Sequence, residues 1–242
     1  MRVMFRARPG RTLIQVDLAQ AESRFVAWDG PVTTLMKFFE EGRDVHKHVA
    51  SRIFGKPEAE ITHMERQLGK KSGHAANYMV GAGTFADTCL KEMDLVLSNS
   101  QADSYLEGYH RVFPEIRTHY QAKVIDEVRR TRRLSTPMGR ERIFYDRLGP
   151  QLDREVCAYR PQSTIPDITN ALMKFMAFKA PLLLQVHDSL LYEVKTQDVP
   201  RVIAEMRKIE QWHPEIILAG GKLVIPIDIE IGENWLELER VK

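Results

Sequence analysis

Apolar and polar residues alternate in two stretches, one near each end of the chain. In the first, Ile14, Val16 and Leu18 recur at every second position, which predicts a strand whose Asp17 points away from the buried face. The second stretch, residues 225–231, places isoleucine at alternate positions and predicts another strand buried on one face. Both ends of the chain are therefore expected to contribute strands.

Between these strands, apolar residues recur at helical spacing. The segment from Pro114 to about Arg130 predicts a helix, with proline in its first turn. The segment from about Ile165 to Phe178 predicts another. Strands at both ends with helices between them indicate an α+β fold.

A second aspartate lies at the end of a strand-like run. Residues Gln185 to Ser189 lie between apolar runs and predict a hairpin with Asp188 near its tip. Two carboxylates lifted to a sheet surface, Asp17 and Asp188, could together hold the divalent metals that nucleotidyl transfer needs. A single aspartate at a strand end is more often a turn residue, so the interpretation depends on the pair.

A third pattern lies between the two aspartates. On a helix, one stripe at successive i, i+4 steps would contain Arg66, Lys70, His74 and Tyr78. Two positive charges, an imidazole and a ring suit a ligand with a polyphosphate at one end and a planar base at the other. The alternative is a solvated basic helix face, but together with the aspartates the stripe indicates half of a nucleotide site.

Composition is typical of an intracellular globular protein. Apolar residues make up 43% and charged residues 28%, which argues against wholesale disorder. Cys89 and Cys157 cannot by themselves form a disulfide framework or a four-ligand zinc site. The first residues lack an apolar signal segment, and no apolar run approaches the roughly 18 residues of a membrane span. We therefore expect a soluble, cytoplasmic protein with no membrane partner.

Positive charge is concentrated in one segment, although the net charge is only +2. This arginine-rich segment, residues 129–147, contains Arg129, Arg130, Arg132, Arg133, Arg140, Arg142 and Arg147. Such a cluster could neutralise phosphates along a nucleic-acid strand and steepen the salt dependence of binding. The alternative is a solvated loop.

Taken in order, these motifs resemble the family A DNA polymerases, the group of bacterial DNA polymerase I and related phage replicative enzymes. The similarity is collinear across nearly the whole chain. The similar segments are Asp17–Arg24, Asp44–His46, Arg66–Tyr78, Thr136–Arg140, Arg160–Thr164, Gln185–Asp188 and Ile229–Trp235. Each motif is weak alone, but seven in one order argue against chance.

The resemblance implies a metal-dependent reaction. Asp17 and Asp188 match the metal-holding carboxylates, and the Leu18 carbonyl matches an additional ligand of two Mg²⁺ ions. The metals would activate the primer 3′-hydroxyl for attack on the incoming α-phosphate and neutralise the departing pyrophosphate. Lys70 is counted with the two aspartates as catalytic.

The resemblance also implies nucleotide and DNA contacts. The nucleotide-binding positions would be Gln20, Glu22, Arg66, Lys70, His74 and Tyr78. Arg66 and Lys70 would clamp the triphosphate, Tyr78 would lie near the new base pair, and Glu22 would exclude a ribose 2′-hydroxyl. The contacts to primer-template DNA would be Arg140, Arg154, Gln162 and His187. As structural alternatives, Glu22 could be a helix-surface charge, and Gln162 and His187 could be polar residues without ligands.

The chain also departs from the family pattern. The departures are His74 for Phe or Tyr, Met79 for Gly, Ala158 for Asn and Ser189 for Glu. None removes a required metal ligand. Because the ring at the His74 position lies close to the nucleotide sugar in the family, we hypothesise that His74 alters tolerance of 3′-modified nucleotides.

The implied fold is an α+β polymerase palm with an antiparallel sheet, interrupted by a helical fingers insertion. We expect the palm to comprise residues 1–26 and 148–242, and the fingers residues 27–147. The thumb, the proofreading exonuclease and the upstream primer-gripping segment have no counterpart, so either another polypeptide supplies them or the chain is a truncated or minimal enzyme.

The expected function is template-directed addition of deoxynucleotides to a primer 3′-hydroxyl, with pyrophosphate release. The expected partners are primer-template DNA and deoxynucleoside triphosphates. One alternative is a catalytically weak nucleic-acid-binding remnant or a subunit of a split polymerase. Another is a polymerase that accepts ribonucleotides, which Glu22 opposes.

Overall fold

The computed structural model describes residues 2–208, 217–218 and 221–241. The chain divides into two compact units, the first formed by residues 1–21 and 162–242 and the second by residues 22–161. The described α-helices are α1 (Ala21–Asp29), α2 (Thr33–Glu40), α3 (Val45–Phe54), α4 (His63–Asn77), α5 (Ala82–Met93), α6 (Asn99–Val112), α7 (Ala122–Thr131), α8 (Pro150–Met176) and α9 (Val199–Arg207). The described strands are β1 (Arg11–Leu18), β2 (Arg133–Ser135), β3 (Glu141–Ile143), β4 (Leu182–Val186), β5 (Ser189–Lys195), β6 (Ile217–Leu218), β7 (Gly221–Lys222), β8 (Ile227–Gly232) and β9 (Glu239–Arg240).

The unit boundaries differ from those expected for palm and fingers. One boundary follows Ala21 and the other follows Pro161. The sequence-based boundaries follow residues 26 and 147, and the division into palm and fingers stays a prediction.

The first unit is built on an antiparallel sheet with strand order β4-β5-β1-β8-β9 in the described residues. β1 pairs with β5 on one side and β8 on the other. Ile14, Val16 and Leu18 are buried, as are Ile227 and Ile229, so the alternation correctly predicted the inward face of both strands. Ile231 is only half-buried, and Ile225, although buried, lies before β8 begins.

The opposite face of the same sheet is covered at one end. Leu13, Leu191 and Trp235 form a small apolar cluster there. The Trp235 indole donates to Gln15 Oε1 at 2.5 Å, and Gln15 Nε2 donates to Glu230 at 3.3 Å. Asp17 lies on the same face one alternate position beyond Gln15, in the row of Ser189 and the partly buried Val186.

The predicted hairpin is confirmed. His187 and Asp188 form the two-residue connection between β4 and β5, with Val186 paired to Ser189. His187 has a φ of 57°, the left-handed conformation that such tight hairpin turns require. Asp188 therefore lies at the tip of the hairpin.

The second unit is mainly helical, and α4 packs against α3 and α6. Gly69 permits a close approach of α3 and α4, since a Cβ there would lie 2.4 Å from the His46 carbonyl oxygen. The core of this unit includes the buried rings of Tyr109, Phe113 and Tyr120.

One predicted helix begins much earlier than expected. The sequence places its start near Ile165, whereas α8 begins at Pro150 and continues through Pro161 and Pro166. Proline lacks an amide hydrogen, so Pro161 leaves the Cys157 carbonyl without its helical partner. The Tyr120 hydroxyl donates to that carbonyl at 2.5 Å. A contact from a distant residue thus compensates for the proline, which local sequence patterns do not reveal.

The helix predicted from Pro114 to about Arg130 is present but not uniform. Residues Ile116–Gln121 are π-helical, and α7 then continues to Thr131. Its apolar positions face inward, because Ile116, Tyr120, Val124 and Val128 are all buried. Of the helices in the described residues, none is both long and apolar enough to cross a membrane.

Candidate nucleotide and metal sites

Carboxylates meet at one edge of the sheet in the first unit. Asp17 pairs directly with Ser189 of β5 and with Asp228 of β8. Directly opposed residues in an antiparallel ladder have Cβ atoms about 4.5–5.5 Å apart on the same face. Asp188 precedes Ser189, so Asp17 and Asp188 lie at adjoining positions of neighbouring strands, as the sequence predicts.

This edge suits magnesium better than a metal that needs a full protein ligand set. Among the described residues, no group of three or more His, Cys, Asp or Glu side chains could hold a metal ion. Asp228 accepts a hydrogen bond from Arg240, which occupies one of its carboxylate oxygens. Mg²⁺ is usually bound through one or two carboxylates with waters and substrate phosphates, so Asp17, Asp188 and the Leu18 carbonyl fit that requirement.

In the second unit, α4 carries the predicted stripe. Thr62 caps the helix, and its side chain and Glu65 exchange hydrogen bonds with each other's backbone amides. Hydrogen bonds from Lys56 and the Thr62 amide lower the pKa of Glu65 to about 2. Arg66, Lys70 and His74 follow on α4, and Tyr78 is its C-terminal cap.

Arg66 is held by a carboxylate at the start of α3. Asp44 caps that helix, accepting from the Lys47 amide at 3.0 Å and from Arg66 Nε at 2.6 Å. Partial burial alone would raise the pKa of Asp44, but the bonds from Arg66 and Lys47 outweigh it and lower the pKa. Asp44 therefore holds the guanidinium of Arg66 in place at the start of the α4 stripe.

His46 lies beside Arg66 and Lys70, although no sequence pattern indicated a role for it. Burial, reinforced by the charges of Arg66 and Lys70, lowers the pKa of His46 to about 4. The ring is therefore neutral near pH 7. The Asp44–His46 motif was the available signal, but only the packing of α3 against α4 places the ring near the two cations.

Glu22, His74 and Tyr78 form a second cluster. The Tyr78 hydroxyl donates to Glu22 Oε2, and His74 Nδ1 lies 3.5 Å from the same oxygen. The two rings meet edge to face at 5.1 Å. Burial, with the charge of Glu22, raises the pKa of Tyr78, so its hydroxyl stays a donor. Glu22 is thus anchored by Tyr78 although its side chain is partly exposed, and the choice between a sugar gate and a helix-surface charge stays a prediction.

The remaining predicted site residues lie on the surface. Gln20 is exposed after β1 and has a φ of 53°. Also exposed are Arg140 beside β3, Arg154 and Gln162 on α8, and His187 at the hairpin tip. Their exposure leaves them accessible to a ligand, and their roles stay predictions.

Met79 occupies a conformation that suits the glycine usual in the family. Its φ is 57°, a left-handed value uncommon for residues other than glycine. Its sulfur lies 3.7 Å from the Cys157 thiol. Burial raises the pKa of Cys157 to about 12, so the thiol stays protonated.

The paired sheet-edge carboxylates and the basic helix are components that enzymes of nucleotidyl transfer use. Nucleotide polymerases are among the enzymes built from such components. The chain matches the family described as DNA polymerase family A over residues 1–237, and it belongs to that family.

Individual relatives agree with this membership. The "DNA polymerase I, thermostable" of Thermus aquaticus is 27% identical over 254 residues, covering 98% of this chain and 28% of the relative. The "DNA polymerase I" of Helicobacter pylori is 28% identical over 242 residues, covering 94% of this chain and 25% of the relative. The chain thus spans about a quarter of the length of these relatives.

A solved structure is also similar. The POL domain of Pol1 from M. smegmatis, in complex with DNA primer-template and dNTP, matches with a TM-score of 0.76 and 26% identity. The match covers 97% of this chain and 42% of that one. The predicted family A fold, with helices and an antiparallel sheet, is confirmed.

Proposed function

We propose that this chain is the nucleotidyl-transferring part of a DNA-directed DNA polymerase that adds deoxynucleotides to a primer 3′-hydroxyl. The observation that supports this most strongly is the register that places Asp17 and Asp188 at adjoining positions of β1 and the β4–β5 hairpin. Two Mg²⁺ ions bound by Asp17, Asp188 and the Leu18 carbonyl would activate the 3′-hydroxyl and stabilise the pyrophosphate leaving group. Family membership supports the same reaction class.

The α4 stripe would bind the triphosphate. Arg66 presents a planar guanidinium whose donors match phosphate oxygens, and Asp44 orients it. Lys70, one turn further on, would add a point charge that stabilises the departing pyrophosphate. His46, neutral beside both cations, would add an uncharged ring at the same place.

Glu22 would act as the sugar gate. Because Tyr78 donates to its carboxylate, the side chain is held in one position, as steric exclusion of a 2′-hydroxyl requires. His74 faces the same carboxylate oxygen, so its substitution for the usual aromatic residue would change the surroundings of the sugar. The tolerance of 3′-modified nucleotides is expected to change with it.

Primer-template DNA would be contacted by Arg140, Arg154, Gln162 and His187. Gln20 would contact the incoming nucleotide rather than the DNA. These assignments rest on the resemblance of their motifs to the family and on their exposure. A separate chain that supplies a thumb or exonuclease stays part of the proposal.

The test is extension of a labelled primer-template with Mg²⁺ and deoxynucleotides by the parent, by Asp188→Asn and by a matched control, Asp198→Asn. Asp198 lies past the opposite end of β5 and makes no capping hydrogen bond with its side chain. We expect extension by the parent and the control but not by Asp188→Asn. A folded parent that binds DNA without extending it would instead favour a weak remnant or a subunit of a split polymerase.

A further inference from the structure

The arginine-rich segment is firmly anchored in the second unit. β2 and β3 pair with Arg133 opposite Ile143, and Leu134 and Phe144 are both buried. The Phe144 amide also donates to the Arg132 carbonyl at 2.8 Å. Tyr145, the next residue, follows directly from this anchored position.

Tyr145 projects into solvent. It is 83% exposed, and Leu148 nearby is 48% exposed. Phe144 contacts the Tyr159 ring and the Arg142 guanidinium, whereas within residues 2–208 and 221–241 no aromatic or cation–π contact includes Tyr145. Internal packing therefore does not account for this ring.

The surrounding arginines remain available to an anion. Surface ion pairs of 2.7–3.2 Å join Arg129 to Asp153, Arg130 to Asp126, Arg133 to Glu141 and Arg142 to Glu155. These arginine side chains are 42–70% exposed, and such pairs contribute so little that phosphates can compete for them. In the described part of the chain, Arg147 has no carboxylate partner, and Arg132 donates to the Asp146 carbonyl.

We propose that Tyr145 is a stacking platform for an unpaired base and that the arginine-rich segment binds the adjoining phosphates. The occupant is single-stranded nucleic acid, because a duplex hides its base faces whereas a single strand offers both a ring face and a backbone charge. The identity of this strand as the unpaired 5′ extension of a template rests on the proposed function. An exposed ring beside positive charges is complementary to that ligand.

The experiment measures affinity for a labelled oligothymidine of about 12 nucleotides, within the usual site size of single-strand binders. Fluorescence anisotropy would compare the parent with Tyr145→Ala, Tyr145→Phe, Arg147→Ala and a control, Phe178→Ala. Phe178 is a fully exposed ring outside the arginine-rich segment. A primer-template with a 5′ extension and a blunt duplex serve as further ligands.

Tyr145→Ala should weaken binding of the single strand about 5- to 100-fold, as expected for loss of one stacked base. Tyr145→Phe and Phe178→Ala should bind like the parent, and Arg147→Ala should reduce the salt dependence by about one phosphate contact. Affinity of Tyr145→Ala equal to the parent's would overturn the proposal. An equal loss of affinity of Tyr145→Ala for the blunt duplex would also overturn it.

The affinity measurement and the primer-extension assay test the stacking platform and the polymerase activity separately. A chain that binds single strands through Tyr145 but does not extend primers would support the stacking platform and contradict the polymerase activity. Normal extension with unchanged single-strand affinity in Tyr145→Ala would do the reverse.

Discussion

Gly69 lies where α3 and α4 approach most closely, so Gly69→Ala tests whether this contact organises the candidate triphosphate site. An alanine Cβ would lie 2.4 Å from the His46 carbonyl oxygen and 3.1 Å from the Ala50 nitrogen. Both are helix backbone atoms, which cannot rotate away. Because carbon and oxygen normally come no closer than about 3.3 Å, the helices must separate by about 0.9 Å.

That shift has two consequences. A separation of this size takes the 2.6 Å bond between Arg66 and Asp44 beyond hydrogen-bond length, which ends near 3.2 Å. Overpacking should cost about 1–3 kcal/mol, offset by about 1 kcal/mol of improved helix propensity. We expect a net loss of up to about 2 kcal/mol in the free energy of unfolding. The KM for deoxynucleotides should rise about tenfold, the effect of one lost hydrogen bond to a charged group.

Urea unfolding and steady-state primer extension measure the two effects separately. Gly83→Ala in α5 is the matched control, because a Cβ there meets only Asn99 Oδ1, at 3.8 Å. That variant should gain up to about 1 kcal/mol of stability. Gly69→Ala as stable as Gly83→Ala would refute the packing argument, and a destabilised Gly69→Ala with unchanged KM would refute the coupling to the nucleotide site.

Two side chains with little exposure, Arg160 and His110, give further predictions. Arg160→Ala should destabilise the protein by about 3–5 kcal/mol in urea unfolding. The substitution removes the Arg160 hydrogen bonds to Asp29 at 3.3 Å, to Glu127 at 2.8 Å and to the Ser135 carbonyl at 3.1 Å. Asp29, which is only 2% exposed, is then left with fewer hydrogen-bond partners. A loss below 1 kcal/mol would show that the network contributes little. Burial, followed by the charge of Arg117, lowers the pKa of His110 to about 4, against about 6.5 unfolded. The unfolded state then binds more protons between these values, so acidification from about pH 6.5 to 4 should remove about 3 kcal/mol of stability through His110 alone. His110→Gln should flatten that part of the stability profile, and an unchanged slope would contradict the assignment.

Much of the fold follows from local periodicity. The buried faces of β1 and β8 were predictable because strand side chains alternate, and the α4 stripe because helical residues four apart share a face. The hairpin around Asp188 was predictable because two polar residues separate two apolar runs. In each case the residues concerned are close together in sequence, so their own order decides their arrangement.

Tertiary structure decided the rest. Glu22 and Tyr78 are 56 positions apart, and only packing in the second unit brings the hydroxyl to the carboxylate. The bond between Arg66 and Asp44 likewise depends on the approach of α3 to α4. α8 continues through Pro161 because the hydroxyl of Tyr120 occupies the carbonyl that proline cannot bond. The sequence therefore determined which residues could do chemistry and on which element each lies. Partners distant in the chain determined how these residues are held, since hydrogen bonds and burial depend on distance in space.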